Sequence, residues 1–225
     1  MHIEPGIVEG AKVTLSYATA AGAGAYALVS ARRHLKDRGV ISLLFGTAAT
    51  TALVLVFFEL LPHFPVGVSE VHLILGTTLF LVFGAAPAAF GLAAGLLLQG
   101  VLVAPYDLPQ YGMNVTTLLV PLFALQYVAG KVVTPRTPYV ALRYRQALTL
   151  SATYQAGIVS WVALWAVYGQ GFGTSTLQAV GAFGAAYLSV LVLEPLVDLA
   201  VLAAAKALRG VAADGLLQPR LFGPA

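Results

Sequence analysis

Long apolar runs, each closed by a cluster of charge or by proline and glycine, organise this chain. A helix that spans a bilayer needs about 20 mostly apolar residues. The first two candidates lie at about 11–31, closed by Arg32-Arg33, and 40–61, closed by Pro62. A third, 69–83, is broken by Gly84-Ala85-Ala86-Pro87, and a fourth, 88–103, stops at Pro105. The fifth covers 114–131, the sixth 147–168 and the seventh 177–205. The third and fourth are short, and also read as one kinked hairpin buried in the bundle. The pattern predicts an all-α integral membrane protein: a single transmembrane domain over 1–225, a bundle of about seven transmembrane helices. Residues 1–10 precede the first span and residues 206–225 form a tail.

Composition narrows the picture. Of 225 residues, 59% are hydrophobic and only 9% charged, against about 25% charged in soluble domains. No folded soluble surface can be built from so few charges. Cysteine is absent, which excludes disulfides and thiolate metal ligands. No basic-aromatic patch points to nucleic acid.

The few charges orient the chain. Cytoplasmic loops of membrane proteins are enriched in Lys and Arg. Arg32, Arg33, Lys36 and Arg38 follow the first span; Lys131, Arg136, Arg143 and Arg145 follow the fifth; Lys206, Arg209 and Arg220 follow the seventh. Of the 12 basic residues only Lys12 falls elsewhere. Glu4, Glu9, Glu70 and Asp107 sit on the other side. Seven spans then place the N-terminus outside and the C-terminus in the cytoplasm. No positive charge precedes the first apolar run, unlike a cleavable signal peptide, so Met1 reads as the mature N-terminus.

This topology gathers nitrogen ligands. Met1, His2, His63 and His72 fall on the outer side; only His34 is inside. His72 is expected in the first turn of the third helix. A histidine at position two lets the α-amine of Met1, the His2 amide and the His2 imidazole close fused rings on one metal ion. His72 would supply a fourth nitrogen. Four nitrogens in a plane suit Cu(II) or Ni(II). The other reading is an exposed terminal histidine and a helix-end histidine bonded to a loop carbonyl. The residues alone leave both open.

Glu59 and Glu194 stand in apolar helices, where ionisable groups are costly and mark functional sites by default. Glu194 precedes Pro195, with Asp198 one turn on. Hydrogen bonding inside the bundle explains these carboxylates as well, and explains Gln99 and Gln155. In the first helix Ala18, Ala20, Ala21, Gly22, Gly24 and Ala25 are all small. Small-xxx-small pairs let helices in lipid approach closely. This helix is either central in the bundle or a docking face for another membrane protein. No phosphate-binding loop, HExxH or converging nucleophile–base set is visible, so enzyme activity is not expected.

Met1-His2-Ile3 with Pro5-Gly6, and Ser69-Glu70-Val71-His72-Leu73 opening a helix, resemble the CbiM/NikM family. So do the Gly84 to Pro87 break and Tyr111-Gly112-Met113-Asn114. The resemblance covers roughly residues 1–133. That family supplies the substrate-capturing membrane components (S components) of energy-coupling-factor transporters for cobalt and nickel. The resemblance implies a metal-binding N-terminal segment, with Ni(II) or Co(II) held by Met1, His2 and His72 and carried as cargo. No other cofactor is expected. Ser69, Glu70 and Asn114 would orient His72 or close the N-terminal loop. It implies a transmembrane coupling subunit, two cytoplasmic ATPases and a small accessory membrane subunit as partners in a prokaryotic cytoplasmic membrane. It favours the docking reading of Ala18 to Ala25. Where the family commonly has an Asp-Gly turn, this chain has Glu4-Pro5-Gly6. The rivals are a membrane scaffold without metal, or a proton-coupled carrier using Glu59 and Glu194.

Overall fold

The computed structural model describes residues 3–208 and 216–223. Six α-helices appear among them: α1 (Val13–Glu59), α2 (Gly76–Phe83), α3 (Ala85–Leu102), α4 (Tyr111–Val132), α5 (Tyr144–Gln170) and α6 (Thr174–Ala207). A short hairpin, β1 (Phe64–Val66) and β2 (Ser69–Val71), lies between α1 and α2. Five of the helical segments are long and apolar enough to cross a membrane. The protein is therefore an all-α, multi-pass membrane protein.

α1 is two helices in one. Gly39 has φ 79° and ψ 172°, a conformation open to glycine and strained for other residues. The His34 Nε2 and Ser42 Oγ atoms lie 3.2 Å apart, although eight residues separate them. In a straight helix eight residues advance about 12 Å. The chain therefore reverses at Gly39, and the arms 13–38 and 40–59 return to one end of the bundle. At that end Ser16 meets Gly112 of α4, and Phe58 meets His72.

The third expected helix, 69–83, is not formed as one piece. Its first three residues are β2, residues 72–75 have no regular secondary structure, and helix begins only at Gly76. Two local causes act. Ser69–Val71 pairs antiparallel with β1 across a two-residue turn at Gly67-Val68, where Gly67 has φ 64°. The Glu194 carboxylate then takes the backbone amides of Ile74 and Leu75. His72 therefore lies between β2 and α2, outside any helix, and its expected place in the first turn of a helix is corrected. At 8 residues α2 rises only about 12 Å, too little for a hydrocarbon core of about 30 Å. Gly84, φ 94°, turns the chain directly into α3.

Close packing fixes α3 against the second arm of α1. A Cβ on Gly91 would lie 1.8 Å from Thr50 Oγ1, and one on Gly95 2.6 Å from Val54. Without a hydrophobic driving force between helices in lipid, such close approach supplies the association. Gly91→Val should cost about 1–3 kcal/mol by overpacking. The unfolding temperature in detergent should fall by about 5 °C; an unchanged melt would contradict this packing.

The first arm is peripheral. Ala18, Ala21, Gly22 and Ala25 are exposed, Ala20 and Gly24 half-buried. A Cβ added at Gly22 or Gly24 would meet nothing within 4 Å. The alternative that placed this helix centrally is thereby excluded. At the end opposite the hairpin, residues 216–223 fold back onto the bundle. There Gln218 N donates to Val82 O (2.7 Å), Arg38 donates to the Leu217 carbonyl, and Leu221 is buried.

Candidate metal centre

A cap built from the N-terminal segment and the β1–β2 hairpin closes one end of the bundle. The piece nearest the start of the chain is held at Ile3, which is 0% exposed and packs in the main core. Its amide donates to Asn114 Oδ1 (2.8 Å), on the first turn of α4. Its backbone forms an antiparallel bridge with Ser69 of β2. The next amide, Glu4 N, donates to Val68 O (3.2 Å). Pro5-Gly6 then turns the chain, with Ile7 N donating to Glu4 O (3.2 Å) and Gly6 at φ 88°. Proline followed by glycine with positive φ is the pattern of a type II turn. Ile7 and Val8 are buried, and a Cβ on Gly169, at the end of α5, would meet Ile7 O at 1.9 Å.

Three residues past Ser69 in the chain lies His72, 1% exposed. Its Nε2 lies 2.9 Å from Glu70 Oε2. A proton on Nε2, donated to that carboxylate, leaves Nδ1 as the nitrogen with the lone pair, and a carboxylate partner of this kind sets ring orientation and raises basicity. The ring stacks on His63 at 4.9 Å and 9°, and tilts against Phe58 at 5.1 Å. The hairpin register explains the stack. Phe64 pairs with Val71, so the next pair outward is His63 with His72. His63 is exposed and covers the buried ring.

Of the expected site residues, Asn114 and Ser69 meet at the backbone of Ile3, and Glu70 meets His72. Ser69 is buried and acts through its backbone bridge; Glu70 holds the imidazole; Asn114 holds the amide of residue 3. Met1 and His2 lie outside the described residues. Among the described residues no three His, Asp or Glu side chains converge on one point. The half-buried Glu4 carboxyl is pushed above the ordinary glutamate range, first by burial and then by the charge of Glu70. The small-residue set at Ala18 to Ala25 lies largely on the exposed side of α1.

The sequence singled out Asn114 and Glu194, but not the partners they take, and it did not pair His63 with His72. The His63 stack was legible in principle: Val66-Gly67-Val68 is a turn signal between β-prone residues, and a hairpin there sets His63 opposite His72. The Asn114–Ile3 bond and the Glu194 bonds had no local signal.

A family model, cobalt uptake substrate-specific transmembrane region (CbiM), matches residues 2–211. The chain belongs to the CbiM family. The CbiM match runs past residue 133, where the motifs end, and takes in α5 and α6. It makes the chain a membrane component of cobalt uptake, in a family of transporter components rather than enzymes. No curated protein and no solved structure matches the chain significantly.

Proposed function

We propose that this CbiM-family chain captures Ni(II) or Co(II) at its outer face, through the α-amine of Met1, the amide and imidazole of His2, and Nδ1 of His72. The observation that carries this reading is the anchoring of Ile3. Ile3 pairs antiparallel with Ser69, three residues before His72, so the first described residue is tied to the strand that leads to that imidazole. Backbone at this depth needs buried partners, and Asn114, Ser69 and Val68 supply them up to Glu4.

The wider assembly follows from the same reading. The reversals at Gly39 and Gly84 fit a seven-element path with the N-terminus outside and the C-terminus in the cytoplasm of a prokaryotic cell. The chain works as the S component of an energy-coupling-factor transporter. A coupling subunit seats on the exposed Ala18–Gly22–Ala25 face, and a small accessory membrane subunit completes the capture step. Two cytoplasmic ATPases drive inward release.

Calorimetric titration of protein without an affinity tag tests the proposal. Metal must displace protons from the amine and amide, so affinity rises with pH, roughly ten-fold per unit for each proton released. The Glu4 carboxyl, raised first by burial and then by the charge of Glu70, takes up its proton at a higher pH than a free glutamate. The same shift makes Glu4 favour the folded state most below its unfolded pKa; that advantage fades as pH rises toward the folded value. Tight binding at pH 8 that weakens more than ten-fold by pH 6 is expected. A flat isotherm with both metals at pH 8 leaves the scaffold reading in its place.

A further inference from the structure

Residues 72–75 carry His72 across a gap with no secondary structure of its own. β2 ends at Val71 and α2 begins at Gly76. Ile74 is fully buried and Leu75 nearly so. Leu75 adopts φ 54°, in the left-handed region that a branched apolar side chain disfavours. Neither helix nor sheet holds this segment, so something else does.

The holder is one stripe of α6. Tyr187, Glu194 and Asp198 are spaced by seven and four residues, which puts them on one helix face. The Tyr187 hydroxyl lies 3.5 Å from the His72 carbonyl oxygen. Oε1 of Glu194 accepts from Ile74 N (3.0 Å) and Leu75 N (2.8 Å). Asp198 accepts from the Thr78 hydroxyl in the first turn of α2. The other Glu194 oxygen accepts from Gln155 Nε2 of α5, which braces the carboxylate from behind. Glu194 is 0% exposed. A carboxylate inside the bundle is costly unless its oxygens are satisfied; here both are, by groups that belong to the segment and to α5.

We infer that Glu194 is a positioning residue for the metal centre. By fixing the amides of Ile74 and Leu75 it sets the path of residues 72–75, and so the place of the His72 imidazole two residues upstream. It does not touch the metal. The inference rests on the proposed ligand role of His72. It also joins the capture site to α5 and α6, helices whose other ends lie across the bundle.

Substitutions separate hydrogen bonding from charge. Glu194→Gln keeps an oxygen for the two amides. Gln155 can turn its own amide over to accept from the new NH₂, since its Oε1 has no partner. Glu194→Asp keeps the charge and withdraws the oxygens by one methylene. Glu194→Leu removes the acceptor. Ni(II) affinity is read by calorimetry, and the absorption band of a Cu(II) probe reports its nitrogen ligands. Affinity should fall in the order Gln, Asp, Leu. Gln should stay within about three-fold of the parent, and Leu should lose at least ten-fold and take the band of His72→Ala. Parent-like affinity and band in Glu194→Leu would overturn the inference. If Glu194→Leu does not fold, the Asp and Gln variants decide alone, because an Asp variant equal to or tighter than Gln would show that charge, and not position, is what matters. Loss of binding in His72→Ala with none in the Glu194 series overturns this inference alone. Full binding in His72→Ala overturns the metal reading and this inference together.

Discussion

One alanine added before Met1 will abolish tight metal binding and leave the bundle folded. The proposed claw needs the free α-amine. An added residue turns that amine into an amide and moves the new amine one residue away, so the fused rings with the His2 amide and imidazole cannot close. Losing a multidentate hold of this kind should weaken Ni(II) or Co(II) binding by at least a thousand-fold, about 4 kcal/mol. The fold should not notice. Among the described residues the chain is anchored by the Ile3 amide on Asn114 and by Glu4 N on Val68 O, and an extension before residue 1 should leave both in place. Titration calorimetry beside a detergent melt checks the two halves. Unchanged affinity with the extra residue would end the claw.

His72→Ala should cost about a hundred- to a thousand-fold in affinity, and His63→Ala less than about five-fold. Both rings sit in one stack, 4.9 Å apart, so proximity alone does not choose between them. Burial and partnership do. His72 is buried, with Nε2 held 2.9 Å from Glu70 Oε2, and Nδ1 is the nitrogen proposed to take the metal. His63 is exposed, and its Nδ1 lies 3.3 Å from the Leu61 carbonyl within its own loop. Removing His72 deletes the proposed ligand and its bond to Glu70. Removing His63 uncovers the ring beneath. Equal losses in the two variants would contradict the assignment.

Much of the bundle was legible because helix-forming apolar runs are local. The ends of α4, α5 and α6 fall within a few residues of the expected spans, since Pro105, Arg143-Arg145 and the Gly171–Gly173 turn interrupt hydropathy where they interrupt the helices. The Gly84–Pro87 break was read correctly as the point between α2 and α3. The start of α2 was not. Residues 69–75 are as apolar as a span, and nothing within them says that β1 and Glu194 will take their backbone bonds first. The small-residue helix shows the same limit. Its composition suited a central or a surface position equally, and only the packing of its neighbours left Gly22 and Gly24 open.

The sequence by itself determined that this is a multi-pass helical membrane protein with basic loops segregated from acidic ones, and it singled out His72, Glu70, Ser69 and Asn114. Hydropathy, charge and motif spacing are properties of neighbouring residues, so they survive in one dimension. Only the tertiary structure decided how those residues meet: Ile3 on Asn114, 111 positions away, and Glu194 on Leu75, 119 positions away. Such bonds depend on which helices pack and at what depth. Gly39, Gly84 and the close contacts at Gly91 and Gly95 set that packing, through shape that no local pattern encodes.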